Sequence, residues 1–301
     1  MKLRLPRPAF PYSAPTTPRG VEPLPGEPRW GQAYDTDWAR RTPARYVRFF
    51  IVEGPMRAVV RALASPARRG ADRLDAVRGP VIFAANHHSH VDTPLLLTSI
   101  PDRWRHRTVV AAAADYFFTN RYTSAASALA MSAFPIERKT VSRRSADQAA
   151  RLIAEGWSLL IFPEGGRSPD GWGQGHRGGA AYLSSRTGAP VVPVHLEGTG
   201  RIFAKGDKRP RPGSTTVTFG APLAPEPGES STRFAARIET AVAALADEAR
   251  TDWWSARHRA HAGRSPALTG PETTSWRRVW ALGDRRSRRA RQARRRWPEL
   301  G

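Results

Sequence analysis

The sequence contains no cysteine. This excludes disulfide scaffolds, Cys-ligated zinc, iron–sulfur clusters and a thiolate nucleophile. It also lacks long apolar runs: no stretch reaches the roughly 18 uninterrupted apolar residues of a transmembrane helix. Residues 1–11 carry prolines where a signal peptide has its apolar core, so we expect no signal peptide. If the protein contacts a membrane, the sequence therefore predicts that it binds at the membrane surface and does not span the bilayer.

Acidic residues are scarce relative to basic ones, at 26 against 48, which gives a formal net charge of +22. Such a field attracts polyanions, and nucleic acid, an anionic membrane surface and phosphorylated substrates all qualify. The chain has no helix-turn-helix, RNA-recognition or zinc-finger signature, so we do not expect nucleic acid as a partner. A basic nucleic-acid-binding protein remains the non-enzymatic alternative.

The chain divides into three parts by composition. Residues 1–43 are rich in proline and predict an extended, irregular arm. Residues 44–250 predict one folded domain, which begins with two short amphipathic helices within 44–65, separated at Pro55. Residues 251–301 are rich in tryptophan and arginine and predict a basic C-terminal tail.

Short apolar runs alternate with helical patterns from about residue 78 onward. Alternating strands and helices predict an α/β fold with a largely parallel sheet flanked by helices. Ligands of such folds bind beyond the carboxyl ends of the strands. The predicted strands are 80–85, 107–113, 133–137, 157–162, 190–196 and 215–219. The predicted helices are 92–100, 121–131, 143–155, 177–187 and 231–250.

The first chemical motif, NHHSHVD at 86–92, directly follows the predicted strand 80–85. A histidine with a carboxylate can act as a general base, because the carboxylate fixes the imidazole tautomer and stabilises the imidazolium. His87 and Asp92 would form such a pair. Asp92 lies five positions later, so a turn must bring it back to the ring.

The same stretch permits other interpretations. His88, His90 and Asp92 match the HxHxD start of a metal-dependent hydrolase site, but Thr93 stands where that motif continues with histidine. Ser89 could be a nucleophile, but no GxSxG elbow surrounds it. A polar loop of solvated histidines is the simplest alternative.

The second motif, FPEGGRS at 162–168, follows the predicted strand 157–162. Proline and glycine force a turn there, which would present Glu164 and Arg167 at the carboxyl end of the strand. Arginine is well suited to bidentate phosphate recognition. Taken alone, the motif is equally compatible with a surface turn that contains a local ion pair.

Together these motifs resemble the glycerolipid acyltransferases, the family of 1-acylglycerol-3-phosphate acyltransferases. Residues 86–92 are similar to the family's NHxSxxD block and residues 162–168 to its FPEGTRS block. Residues 134–138 (FPIER) and 191–194 (VVPV) resemble its second and fourth blocks. The four blocks occur in family order, and the resemblance covers roughly residues 45–250.

Two residues depart from the family pattern. Gly166 stands where the family usually has threonine, and Ser132 stands where a glycine commonly precedes the second block. Neither departure removes a charged group. They therefore bear on the identity of the acceptor more than on the chemistry.

The resemblance implies direct transfer of a fatty acyl chain, in phospholipid biosynthesis. The donor would be acyl-CoA or acyl carrier protein, and the acceptor a hydroxyl of lysophosphatidic acid. His87 and Asp92 would be the catalytic pair, and backbone N–H groups at the following helix start would stabilise the oxyanion. No metal or bound cofactor is implied. The implied substrate-binding residues are Arg138, Glu164, Gly165, Arg167 and Ser168.

The roles within that set differ. Arg138 and Arg167 would hold the acceptor phosphate, and Glu164 would position the glycerol hydroxyls. Docking to an anionic membrane surface is expected from residues 276–297, which hold ten arginines against the single acid Asp284. We therefore expect a cytoplasmic protein, peripheral at the inner face of the cell membrane.

Overall fold

The computed structural model describes residues 31–137, 143–168 and 171–269. These residues build a seven-stranded sheet with the strand order β1-β7-β6-β2-β5-β3-β4. All neighbouring strands are parallel except β6 and β7, which are antiparallel. The predicted α/β class with a largely parallel sheet is confirmed. The strands are β1 (Pro66–Arg69), β2 (Ile82–Ala85), β3 (Thr108–Ala113), β4 (Ala133–Ile136), β5 (Ser158–Ile161), β6 (Val191–Glu197) and β7 (Thr215–Phe219).

The helices lie on both faces of this sheet. Each predicted helical segment contains one, with ends that differ by at most a few residues. The helices are α1 (Thr42–Ile51), α2 (Arg57–Ala64), α3 (Asp92–Ser99), α4 (Asp102–Arg105), α5 (Ala114–Phe117), α6 (Arg121–Met131), α7 (Arg143–Ala154), α8 (Gly179–Thr187), α9 (Thr199–Ile202), α10 (Ser231–Arg250) and α11 (Trp253–His261).

One strand has no counterpart in the sequence prediction. β1 is a short edge strand of sequence PARR, and three of its four residues are exposed. It has no apolar run, and it is a strand because it pairs with β7. Proline and charged side chains are typical of edge strands. Local pattern alone therefore could not reveal it.

The sheet is buried from both sides, which explains why its central strands read as continuous apolar runs. In β2, Phe83 and Ala85 face the cluster that contains α2 and α3. Ile82 and Ala84 face the opposite cluster, which contains α7, α8 and α10. The fold is thus a three-layer arrangement with the sheet in the middle.

The N-terminal helices form a continuous helical segment. A π-helical turn, Val52–Met56, contains Pro55 and joins α1 to α2. Such turns accommodate a residue that cannot extend the α-helical hydrogen-bond ladder. The two short helices predicted around Pro55 are present, but α1 begins at Thr42 rather than at residue 44.

The structure continues past residue 250, where the sequence pattern predicts a tail. α11 packs on α10, and Arg259 Nε donates to Asp247 Oδ2 at 2.6 Å. Further on, the backbone oxygen of Leu268 accepts a hydrogen bond from Gly173 N at 2.9 Å. The predicted docking segment 276–297 and most of the predicted arm 1–43 lie outside the described residues.

Candidate active site

The two chemical motifs meet at the carboxyl edge of the sheet. β2 and β5 are neighbours and parallel, so the segments after Ala85 and Ile161 leave the sheet side by side. β3 lies beyond β5 and β4 beyond β3. The ends of these four strands surround a cavity of about 250 Å³. Its lining includes His87, His90, Thr93, Ala113, Tyr116, Glu137, Phe162, Gly165, Gly166, Arg167 and Arg177.

His87 and Asp92 are in direct contact. His87 Nδ1 lies 2.8 Å from Asp92 Oδ2, so Nε2 is left for a substrate. Asp92 is fully buried at the start of α3. The same Oδ2 accepts backbone hydrogen bonds from His88 at 2.7 Å and Ser89 at 2.8 Å. The loop therefore wraps around the carboxylate and returns Asp92 to the ring.

A ring stack fixes the plane of the imidazole. The Phe162 ring lies 4.1 Å from the His87 ring, centroid to centroid, with an angle of 18° between the planes. The edge that carries Nδ1 is held by Asp92, so both the position and the orientation of His87 are determined. Sequence reasoning gave Phe162 no role. The only signal was its place as the first residue of the FPEGGRS motif.

Asn86 anchors the catalytic loop to the sheet. Its Nδ2 donates to the Leu196 oxygen at 3.0 Å, and its Oδ1 accepts from Leu196 N at 2.7 Å. Asn86 is buried, so these bonds form in a region of low dielectric constant, where they are strong. The loop that carries His87 is thereby fixed to β6.

Glu164 is buried behind the cavity, with 3% of its surface exposed. Oε1 accepts from His87 N and Oε2 from Gln174 N, both at 2.9 Å. Burial raises the pKa of Glu164 to about 7, although the two backbone hydrogen bonds oppose that effect. Both of its oxygens accept from the protein backbone, and the expectation that Glu164 positions the acceptor hydroxyls stays a prediction.

Ser168 also contacts the protein backbone, and its predicted role in substrate binding stays a prediction. It is buried, its N–H donates to the His87 oxygen at 2.8 Å, and its Oγ accepts from Gly171 N at 2.8 Å. Glu164 thus binds the backbone N–H of His87, and Ser168 binds its backbone oxygen. Gly165 and Arg167, by contrast, line the cavity. Arg138 lies outside the described residues.

The geometry does not support the alternative sites. Ser89 is fully buried and its Oγ donates to the Phe203 oxygen at 2.8 Å, so it is not presented as a nucleophile. The ring of His90 contacts that of Phe203, whereas His88 Nδ1 lies 3.4 Å from Asn86 Nδ2. Across 31–137, 143–168 and 171–269, no three His, Asp or Glu side chains are grouped so that they could hold a metal ion.

The backbone N–H groups of the loop before α3 are engaged within the protein. Each backbone N–H from residue 88 to residue 92 donates to an acceptor within this loop or to the Phe203 oxygen. These groups stabilise the loop that carries His87. The expected oxyanion role of the backbone N–H groups at the start of α3 stays a prediction, and Thr93 at that helix start lines the cavity.

The two departures from the family pattern have distinct structural consequences. Ser132 ends α6 in the left-handed conformation, with φ of 51°, where glycine is favoured. Gly166 lines the cavity, and a Cβ added to it would meet nothing within 4 Å. Ser132 thus adopts a strained backbone conformation, whereas Gly166 leaves the cavity larger than a threonine at this position would.

The fold and site define an α/β domain with a His–Asp pair whose histidine lines a largely apolar cavity. One solved structure with this fold is the 1-acyl-sn-glycerophosphate acyltransferase PlsC from Thermotoga maritima. It has a TM-score of 0.56 and 23% sequence identity, over 72% of this chain and 84% of that one. At that identity the likeness shows the fold.

Sequence comparison also points to acyltransferases. Residues 66–197 match the acyltransferase family. A 1-acyl-sn-glycerol-3-phosphate acyltransferase of Chlamydomonas reinhardtii is 30% identical over 52% of this chain and 46% of its own length. A chloroplastic enzyme of that name from Brassica napus is 30% identical over 46% of this chain and 39% of its own length. The matches thus span less than half of these relatives.

The chain thus resembles the 1-acylglycerol-3-phosphate acyltransferases, and the resemblance indicated by the four sequence blocks is confirmed by these matches.

Proposed function

We propose that this protein transfers a fatty acyl chain from a thioester to a hydroxyl of 1-acylglycerol-3-phosphate. The observation that carries the proposal is the 2.8 Å contact between His87 Nδ1 and Asp92 Oδ2 at the wall of the cavity. A carboxylate on Nδ1 leaves Nε2 unprotonated in neutral imidazole, as a general base requires. Names of the relatives support the same reaction class.

His87, Asp92 and the two substrates supply every proton and leaving group that the reaction needs. His87 Nε2 takes the proton of the acceptor hydroxyl while that oxygen attacks the thioester carbonyl carbon. The carbon–sulfur bond then breaks, and the departing thiolate receives the proton from the imidazolium. Asp92 stabilises the imidazolium between the two transfers. The products are the acylated lipid and a free thiol, and no acyl-enzyme is formed.

The cavity offers a place for the acyl chain. Its inner wall is formed by small and apolar side chains of β3, β4, β5 and α6. Apolar surface of this kind stabilises a hydrocarbon chain by about 25 cal/mol per Å² removed from water. The donor is acyl-CoA or acyl carrier protein, and either carries a thioester to the same histidine. The small and apolar lining residues from these four elements include Val110, Ala111, Ala112, Met131, Ile136 and Ile161.

The phosphate of the acceptor is assigned to arginine. Arg167 lines the cavity, and among the described residues no carboxylate forms a salt bridge with it. Its charge also acts on His90, whose pKa is lowered first by burial and then by Arg167. Arg138 remains the second predicted phosphate ligand.

We propose peripheral association with the anionic inner face of the cell membrane. No helix of the described residues is both long enough and apolar enough to cross a bilayer. Tyr46 and Phe50, one turn apart on α1, are 66% and 70% exposed. Aromatic side chains favour the lipid–water interface. The basic segment 276–297 would add electrostatic attraction.

The decisive experiment is an acyl-transfer assay with purified protein. A panel of lysolipid acceptors is offered with acyl-CoA and with acyl carrier protein, and the products are identified by mass spectrometry. We expect acylated 1-acylglycerol-3-phosphate and free thiol in equal amounts. Release of free fatty acid without lipid product would instead indicate a hydrolase.

A further inference from the structure

Arg177 is fastened to the FPEGGRS turn, although it belongs to none of the four family blocks. Its backbone N–H donates to the Pro163 oxygen at 2.9 Å. Its side chain lies against Gly165: a Cβ added there would be 2.8 Å from Arg177 Nε and 2.9 Å from Cζ. The absence of a side chain at Gly165 therefore leaves room for the guanidinium, and any larger residue at position 165 would displace it.

The backbone of Gly165 requires glycine for a second reason. Its φ is 71°, in the left-handed region that side chains rarely adopt. The turn thus combines a conformation with a close approach that only glycine permits. The consequence is that Arg167 and Arg177 line one cavity together with His87 and Gly165.

Two arginines that line one cavity are suited to a doubly charged anion. Arginine presents a planar fork that matches phosphate oxygens two at a time. In 1-acylglycerol-3-phosphate the reacting hydroxyl and the phosphate are on adjacent carbons, so both must be held within one small cavity. The base acts on the acceptor, which favours an acceptor phosphate over the phosphates of a CoA donor.

We propose that Arg177, packed against Gly165 in the cavity that Arg167 also lines, binds the phosphate of the acceptor and so selects phosphorylated lysolipids. This inference rests on the proposed acyl transfer for its biological meaning. The binding site itself is defined by the cavity and is open to a direct test.

The test uses the full chain and the variants Arg177→Ala and Arg177→Lys. Arg186→Ala is the matched control, because Arg186 is on α8 and pairs with Asp147 at the surface. Equilibrium binding of 1-acylglycerol-3-phosphate and of the corresponding 1-acylglycerol is measured first. KM and kcat are then measured with both acceptors, and with acyl-CoA or an acyl-N-acetylcysteamine thioester as donor.

We expect Arg177→Ala to weaken binding of the phosphorylated lipid and to raise its KM about tenfold or more, since a charge-assisted contact is lost. Arg177→Lys should lie between Arg177→Ala and the wild type. Binding of the unphosphorylated lipid, and all properties of Arg186→Ala, should stay unchanged. The effect should be the same with either donor.

Equal losses for both lipids would overturn the inference and make Arg177 structural. A loss confined to acyl-CoA, absent with the short thioester, would also overturn it, because the phosphate would be the donor's. If the wild type binds the phosphorylated lipid selectively but transfers no acyl group, the proposed reaction fails while the binding site stands.

Discussion

The backbone N–H of His87 donates to Glu164 Oε1 at 2.9 Å, although 77 positions separate these residues. The oxygen of His87 accepts from Ser168 N at 2.8 Å. The catalytic loop and the FPEGGRS turn thus form one hydrogen-bonded unit. The Glu164 carboxylate thus holds the backbone of the catalytic histidine.

The catalytic pair gives the first prediction. His87→Ala should lower kcat by about 10³-fold or more, because it removes the base, and Asp92→Asn should also be severe through loss of tautomer control. His88→Ala should have a mild effect. Rates are measured on variants whose fold is verified by circular dichroism. Full acyl transfer by folded His87→Ala would contradict the mechanism.

The raised pKa of Glu164 gives a pH dependence of stability. Its ordinary pKa is 4.5 and its pKa in the folded protein is about 7. The folded state therefore binds this proton more tightly than the unfolded chain does. The stability it contributes is complete below about pH 4.5 and is lost as the pH rises through about 7.

Glu164→Gln tests this dependence, because an amide does not titrate. From about pH 5 to about pH 8, the free energy of unfolding of the wild type should fall relative to that of Glu164→Gln, by up to about 3 kcal/mol. Urea denaturation at both pH values measures the difference. A difference that does not change with pH would mean that Glu164 keeps an ordinary pKa.

Ser132→Gly should stabilise the protein by about 1 kcal/mol. Ser132 adopts φ of 51°, which costs a side-chain-bearing residue about 1 kcal/mol or more. Its buried Oγ also has no hydrogen-bond partner among the described residues. Ser132→Ala separates the two effects, since it removes the hydroxyl and keeps the Cβ. Thermal unfolding of the wild type, Ser132→Gly and Ser132→Ala measures both effects. A lower Tm for Ser132→Gly than for the wild type would contradict the proposed backbone strain.

Membrane association should have two separable parts. Replacing Tyr46 and Phe50 with serine should reduce sedimentation with both anionic and neutral vesicles, because it removes interfacial aromatic contacts. Truncation after residue 270 should reduce binding to anionic vesicles and leave binding to neutral vesicles unchanged. The part of the binding that it removes should be the part that added salt also removes. Tyr182→Ser, at an exposed site on α8, is the control. Unchanged binding in both variants would contradict these assignments.

Activity should survive extensive chelation. The proposed proton transfers use only His87, Asp92 and the substrates, so no step requires a metal ion. The assay compares acyl transfer before and after dialysis against a chelator, with metal content measured in parallel. Activity lost with stoichiometric zinc and restored by adding zinc back would favour the metal-dependent hydrolase.

The sequence by itself determined the elements and the chemistry of the first motif. β2, β3 and β5 could be read because strands buried on both faces form continuous apolar runs. The spacing between His87 and Asp92 was sufficient because a single loop closes their contact. The family followed from four blocks in order, a pattern that needs no three-dimensional information.

Only the tertiary structure decided what depends on partners distant in the chain. β1 is a strand because β7 lies beside it, and α11 is docked by an ion pair with Asp247. Glu164 supports the catalytic loop because folding buries it against the backbone of His87 and Gln174. Arg177 enters the cavity because Gly165 has no side chain to exclude it. Burial and close approach are properties of the folded packing, which local residue patterns do not contain.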